Sequence, residues 1–516
     1  MTTERLNSQD EYFLDSDSIT APTHIGGLEI FRLPEGAGRD FVQKLHAQWR
    51  RSRVRAEPFN FKLTTVEPEP PPAKGRRSLL ARLAPKSRRR SKAKPVRVWT
   101  RLAEVNPDEH IYLHALPRPG GQRELGELVA RLHVNRLDRS RPLWEVHLIE
   151  GLEGGRYAVY TKVHHSQFDG KRGMALNDFV RSTSPATRGL PPIWAVDLKK
   201  PARRAKSGPA AARPPRPAEP GTLAKLGGWG EALKTLGEVR RNRAGQGVIA
   251  PYTAPATIFN GPLTARRRLG TQSLPLDRMK ALGAAVPGGA TVNEVLLAVC
   301  GGALRRYLRE LDALPKQPLI AACPVAQQRK DDSSAAGNAV GQILVSLGTH
   351  VADPKRRLLA VVESSRANKG LMKELGQEAF QNYTHLSMLP QVLAARTPLG
   401  HKVLNANLVI PNVPGPRETQ YVNGARLEAM YSASMLLAGQ ALNITVCNFG
   451  DNMDMGIMAC PDLCPSPQKI AVYAGEELEV LERAMGLRAD AKPKAPKARR
   501  KTARPRPRRA ASRPGR

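Results

Sequence analysis

The chain has 516 residues, 41% of them hydrophobic, and a formal net charge of +35, which leaves room for two domains with hydrophobic cores and for segments outside them. Segments 74–97, 199–216 and 488–516 hold +30 of the +35, so the basicity belongs to three appendages and does not describe a folded basic face. Five irregularly spaced cysteines exclude a disulfide framework, and no apolar run approaches the ~18 residues of a membrane span.

The polar, acidic start lacks the charged-then-apolar order of a secretory leader. A cytoplasmic protein with reduced thiols is expected. Phe13 and Leu14 form an apolar pair, and Gly27-Leu28-Glu29-Ile30-Phe31 reads as a strand. Phe41, Leu45 and Trp49, spaced by four, predict a helix near 40–50. The run Pro68-Glu69-Pro70-Pro71-Pro72 and the basic block behind it bury no apolar area, so about 68–97 is expected to be a disordered insert. Order resumes at Val98-Trp99. Leu125, Leu128, Val129 and Leu132 predict a helix over 124–135. Residues 144–149 and 157–163 read as two strands of a hairpin turning over 151–155, the second running into His164. Residues 199–222, rich in Pro, Ala, Arg and Lys, read as a linker leading to an amphipathic helix over 223–240. From about 256, strands (317–325, 341–347, 405–410, 442–449) alternate with helices (291–310, 355–368, 373–395, 467–485), an α/β pattern. The tail after about 487 is low-complexity, basic and expected to be disordered.

The chemistry concentrates in His164-His165-Ser166-Gln167-Phe168-Asp169-Gly170. A histidine is neutral near physiological pH and takes a proton from a hydroxyl, and the carboxylate before Gly170 suits a tight turn that fixes it. Two structural histidines at a strand end would give the same letters. A zinc site is disfavoured, because no third ligand stands at metal spacing; Cys460 and Cys464 likewise lack a partner pair. Asn412-Val413-Pro414-Gly415-Pro416 is a turn by composition. Asn293 reads either as an N-terminal helix residue or as an amide that bonds substrate or ties the two halves of the chain together. Trp144 reads as core packing or ligand contact.

These blocks, in order across 6–480, resemble the bacterial wax ester synthase/diacylglycerol acyltransferase family. The resemblance begins with Leu6-Asn7-Ser8-Gln9-Asp10-Glu11-Tyr12-Phe13 and His24-Ile25-Gly26-Gly27-Leu28. It continues with Leu137-Asp138-Arg139-Ser140-Arg141-Pro142-Leu143-Trp144-Glu145, the H-H-x-x-x-D-G motif on His164, His165, Asp169 and Gly170, and Thr291-Val292-Asn293-Glu294-Val295-Leu296-Leu297-Ala298. Gly337-Asn338, Asn412-Val413-Pro414-Gly415-Pro416 and Gly439-Gln440-Ala441-Leu442-Asn443-Ile444-Thr445 complete it.

The resemblance implies an α/β fold of two similar halves, of the chloramphenicol acetyltransferase-like type, with a tunnel between them. The expected division is 1–198 for the N-terminal half, 199–255 for the linker, 256–487 for the C-terminal half and 488–516 for the tail. The implied activity is an O-acyltransferase of lipid biosynthesis. It has acyl-CoA as co-substrate, no bound cofactor and no metal, and it makes triacylglycerol from diacylglycerol or wax esters from long-chain alcohols, which touches glycerol metabolism. His165 is implied as general base, His164 as a positioning residue and Asp169 as a structural one; Gly170, Asn293, Asn412, Pro414 and Gly415 are candidates for the substrate tunnel. An anionic membrane or lipid-droplet surface is the expected further partner, with the protein peripheral on the inner face of the plasma membrane or on lipid inclusions. Nucleic acid is not expected as a primary partner, since no aromatic residues interleave the basic segments. The sequence departs from the family pattern at Glu294, Pro411, Ala326 and Lys171-Arg172, which bears on acceptor range and rate. The rival functions are a non-catalytic lipid or acyl-CoA binder and a polyanion binder acting through the basic segments.

Overall fold

A computed structural model describes residues 2–67, 95–168, 176–177, 179–197, 234–239, 247–326, 340–394, 397 and 400–488. The expected insert at 68–97 lies almost wholly outside these residues, as do most of the linker with its predicted helix and all but the first residue of the tail.

The N-terminal half begins with β1 (Thr3–Arg5), α1 (Ser8–Ser16), β2 (His24–Arg32), α2 (Phe41–Arg50), β3 (Phe61–Val66), β4 (Val96–Arg101) and β5 (Ile111–Ala115). It continues through α3 (Gln122–Val134), β6 (Trp144–Leu152) and β7 (Arg156–His164). The four-residue spacing behind α2 buries Leu45 and Trp49 beside Val42, and the 144–163 hairpin forms as expected. Both faces of the resulting sheet are covered. Phe31, Val146 and Leu148 enter one core and Leu28, Ile30 and Ile149 the other, as period-2 alternation requires.

The C-terminal half contains β8 (Arg268–Pro275), α4 (Leu276–Ala285), α5 (Val292–Glu310), β9 (Ile320–Ala326), β10 (Val340–Ser346) and α6 (Pro354–Ala394). After these come β11 (Leu408–Val409), β12 (Asn412–Val413), β13 (Tyr421–Val422), β14 (Ala425–Ala433), β15 (Leu442–Phe449), β16 (Asn452–Ala459) and α7 (Gln468–Ala484). Its sheet runs β10-β9-β11-β15-β16-β8, with β12 also on β15. Two expectations change here. The strand expected over 405–410 shrinks to Leu408–Val409, although the Asn407 and Ile410 amides on either side still donate to the Ile320 and Ala322 carbonyls of β9. The helices expected as 355–368 and 373–395 form one helical stretch through Gly370 that breaks at Gly376, where φ is 69°.

Sequence halves and sheets do not coincide. Strands β13 and β14 leave the C-terminal half and join the N-terminal sheet, whose order is β13-β14-β2-β7-β6-β5. The sheets then meet closely: a Cβ on Gly456 of β16 would stand 1.9 Å from the Ser432 carbonyl oxygen of β14. Asp454 reaches across the seam to accept the Met430 N–H at 2.8 Å and, within its own sheet, accepts the Ser273 hydroxyl of β8 at 2.6 Å. Strand β15 serves both halves, with Ile444 and Val446 in the C-terminal core and Cys447 and Phe449 in the N-terminal one.

Candidate active site

Strand β7 ends at His164, opposite His24 of β2, and the chain turns at once: the Gln167 and Phe168 amides both donate to the His164 carbonyl. The two histidines of the pair sit in opposite environments. His164 is 2% exposed. Its Nε2 lies 3.2 Å from Thr23 Oγ1 and its Nδ1 2.7 Å from Ser166 Oγ. Thr23 spends its own hydrogen on the Phe13 carbonyl at 2.8 Å, so it accepts from His164. That fixes the Nε2–H tautomer and leaves Nδ1 to accept from Ser166. Burial pushes the His164 pKa down to about 4, against the pull of the nearby Asp17 carboxylate; the ring is neutral at pH 7. His165 is half-buried. Its ring stacks on Phe13, centroids 4.3 Å apart and planes within 6°, and its amide donates to the Thr23 carbonyl at 3.0 Å.

The N-terminal motif accounts for Phe13. Asn7 and Asp10 form a capping box that starts α1, and the helix delivers Phe13 to His165 and ends just before Asp17. That carboxylate, absent from the sequence-based candidates, is clamped by Arg136 at 2.6 Å and Arg139 at 3.1 Å, accepts the Thr23 N–H at 3.2 Å, and stands 4.0 Å from His164 Nε2. Burial opposes its charge, but the Arg136 bond, the Thr23 N–H and the His164 and Arg136 charges hold its pKa below the usual carboxylate range. The 137–145 block thus builds the wall behind the histidines. Arg139 also donates to the Leu14 carbonyl at 2.6 Å, and Glu145 pairs with the fully buried Lys162 at 2.7 Å. Trp144 is core: it stacks on His110 and Trp194 and donates Nε1–H to the Phe59 carbonyl. Asp169, Gly170, Lys171 and Arg172 lie outside the described residues, as do Gly337-Asn338 and 327–329.

The tunnel candidates of the C-terminal half converge. Asn293, Pro324, Val325, Lys369, Asn412, Pro414 and Asn448 line a cavity of about 180 Å³. Asn412 donates Nδ2–H to Asn293 Oδ1 at 3.2 Å. The alternative that Asn293 ties the two halves is thereby corrected: it ties α5 to β12 inside one half. Gly415 lets this segment lie on β15, since a Cβ there would stand 2.0 Å from the Asn448 carbonyl oxygen. Glu294 is buried, 2% exposed. It closes the capping box with Thr291 that starts α5 and pairs with Lys369 at 2.9 Å. Burial opposes its ionisation, and the Thr291 N–H and Lys369 outweigh that. Pro411 offers its carbonyl to the Val446 N–H. Lys369 and Asn448 were not candidates from the sequence; the signal for Lys369 was a lysine one helix turn beyond a serine that also meets Glu294.

Among the described residues, no group of three or more His, Cys, Asp or Glu is arranged to hold a metal, and no helix is long and apolar enough to cross a membrane. All five cysteines are buried with free thiols.

Residues 72–296 match the wax ester synthase/diacylglycerol acyltransferase catalytic domain, and 336–482 match the C-terminal domain of the same family. A putative diacylglycerol O-acyltransferase of Mycobacterium tuberculosis is 37% identical, covering 93% of this chain and 99% of its own. The O-acyltransferase WSD of Acinetobacter baylyi is 33% identical over 94% of this chain and 99% of its own. Among solved structures, the wax ester synthase/diacylglycerol acyltransferase from Marinobacter aquaeolei VT8 superposes with a TM-score of 0.71 at 34% identity, covering 94% of this chain and all of that one. The first condensation domain of the calcium-dependent antibiotic synthetase, 16% identical with a TM-score of 0.51 over 94% of this chain and 96% of that one, shares the fold.

Proposed function

Because the chain belongs to the wax ester synthase/diacylglycerol acyltransferase family, we propose that it is an acyl-CoA-dependent O-acyltransferase that makes triacylglycerol from diacylglycerol or wax esters from long-chain alcohols, with His165 as its general base. The observation that carries the choice of base is the contrast within the pair. Both ring nitrogens of His164 are engaged and its pKa is depressed to about 4, whereas His165 is the half-buried member.

His165 takes the proton of the acceptor hydroxyl as its oxygen attacks the thioester carbonyl, a step general-base catalysis accelerates ~10²–10⁴-fold. The new C–O bond forms, the C–S bond breaks, and the CoA thiolate leaves with the proton returned from the imidazolium. No acyl-enzyme is required. His164 acts by position: it holds the turn through Thr23 and Ser166. Asp169 keeps the structural role proposed from the motif. The working division remains 1–198, 199–255, 256–487 and 488–516, with β13 and β14 of the C-terminal half lying in the N-terminal sheet. In the test, purified His165→Ala given acyl-CoA and a panel of alcohols should release no free CoA while melting as the parent does. His164→Ala should lose less activity but also lose stability. Near-normal turnover by a stable His165→Ala protein would reject the mechanism.

The acceptors are poorly soluble in water, so the site has to be reached from a lipid surface. The basic segments are proposed as tethers to an anionic cytoplasmic leaflet or lipid inclusion, each Lys or Arg contributing up to about 1 kcal/mol and less in salt. Full-length protein should sediment with anionic vesicles and release at high salt. A chain lacking 74–97 and 488–516 that binds equally well would remove the tether.

A further inference from the structure

The half-buried ring of His165 meets an aromatic face. Its backbone amide is tied to the Thr23 carbonyl, and its imidazole lies parallel to the ring of Phe13, centroids 4.3 Å apart and planes within 6°. At that separation the imidazole has no room to turn edge-on without parting from Phe13. Phe13 in turn is buried, 8% exposed, and held in place. The Thr23 hydroxyl donates to the Phe13 carbonyl at 2.8 Å, Arg139 donates to the Leu14 carbonyl at 2.6 Å, and the Tyr12 ring meets the Phe13 ring edge-on at 5.5 Å. Leu14 packs in a cluster with Phe61, Trp99, Leu137 and Leu143, and Arg97 of β4 pairs with Asp15 at 2.8 Å. The C-terminal part of α1 is thus fastened by several elements, and it offers the Phe13 face as a fixed platform.

A general base works only while its nitrogen stays within hydrogen-bond reach of the proton it takes, so a ring that swings costs rate. A parallel platform removes the swing out of plane. It also answers the charge that the reaction creates. As His165 takes the proton it becomes an imidazolium, and the negative face of an aromatic ring attracts a cation lying on it. The Asp17 carboxylate is already shared by Arg136 and Arg139, and the neighbouring His164 ring is neutral at pH 7. We infer that Phe13 is a positioning residue for acyl transfer: its face holds the His165 imidazole in one plane and stabilises the imidazolium formed in the transition state. The inference rests on the acyltransferase function proposed above, with His165 as base.

Three variants of the full chain separate the ring from its bulk. Phe13→Leu and Phe13→Met keep an apolar side chain and lose the aromatic face, whereas Phe13→Tyr keeps the face. In turnover with acyl-CoA and an alcohol, kcat should fall about tenfold in the first two, the scale of one desolvated cation–π contact, and most of it should return in Phe13→Tyr. The KM for either substrate should stay near that of the parent. Across the set, kcat should follow the presence of a ring and not the melting temperature. A second readout needs no turnover. In histidine-labelled protein, the His165 ring protons, assigned by their loss in His165→Ala, should be shifted upfield by the Phe13 ring current and return downfield in Phe13→Leu. Parent kcat in Phe13→Leu, a change confined to KM, rates that track melting temperature, or a His165 signal that Phe13→Leu leaves in place would each overturn the role. A parent protein with the shifted His165 signal that releases no CoA with any alcohol would remove the acyltransferase function, and the role of Phe13 with it, while leaving the ring contact standing.

Discussion

At the scale of single residues, Asp17 does most to hold the histidine pair in place. Its carboxylate accepts from Arg136 and Arg139 and from the Thr23 amide, and the Thr23 carbonyl in turn accepts the His165 amide. Replacing it by Asn keeps the shape but removes the charge that two guanidinium groups share. Hydrogen bonds to charged groups contribute about 1.5–3 kcal/mol, but both arginines are about one-third exposed, so solvent screening reduces the expected loss to about 1–2 kcal/mol. The pH dependence identifies the cause. The folded-state pKa of Asp17 is depressed, so its contribution is present above the unfolded value of ~3.8 and is lost as pH falls through the lower folded value. Denaturant titrations of the parent and Asp17→Asn should therefore differ at pH 7 and converge in strong acid. Acyl transfer should slow chiefly in kcat, because the base is displaced while the substrate walls remain. A stability difference that is the same at both pH values would mean that the pocket needs the shape of Asp17 and not its charge.

At the scale of elements, what the sequence disclosed follows from how local the cause is. Strands β2, β6 and β7 and helices α3, α5 and α7 were legible because each has one period and one or two buried faces set by its own residues. Strand β16, Asn-Met-Asp-Met-Gly-Ile-Met-Ala, was not: methionine, glycine and aspartate carry no strand preference, and it is a strand because β15 and β8 pair with its two edges. Strand β14 was missed for a stronger reason, since its partner β2 lies some 400 residues earlier and no local pattern records that pairing. Lys162 illustrates the limit from inside a strand that was read correctly. A lysine there suggests a solvent face, yet it is fully buried. Its ammonium donates to the Leu132 and Asn135 carbonyls, capping the C-terminal end of α3, and pairs with Glu145. The candidate site divides the same way. The histidine pair is contiguous and was readable, whereas the 412–416 block, a turn by composition, puts Asn412–Val413 into strand β12 because β15 pairs with it; Asp17 meets Arg136 across 119 residues, and Asn448 becomes a site residue only once Gly415 lets another segment lie on it.

At the scale of the molecule, two buried populations pull stability in opposite directions with pH, and the seam between the sheets holds one of them. The histidines His164 and His24 have pKa values depressed to about 4 and about 3, chiefly by burial; they favour the fold above ~6.5 and are lost as pH falls. Asp454 does the reverse. Burial raises its pKa to about 6 against the bonds from Ser273 and the Met430 amide, so the folded state holds its proton more tightly than the unfolded chain. Its contribution is full below ~3.8 and is lost as pH rises through about 6. A shift of about two pKa units corresponds to about 3 kcal/mol, placed where β16 of one half grips β14 of the other. Asp454→Asn is the neutral isostere: it keeps an oxygen for the Met430 N–H and never ionises. The stability of Asp454→Asn relative to the parent should rise by about 2–3 kcal/mol between pH 4.5 and pH 8. Because the histidines are common to both proteins, their opposing trend cancels in that difference. A difference that stays flat across this range would mean that Asp454 remains ionised in the seam, and that the Met430 and Ser273 bonds outweigh the cost of its burial.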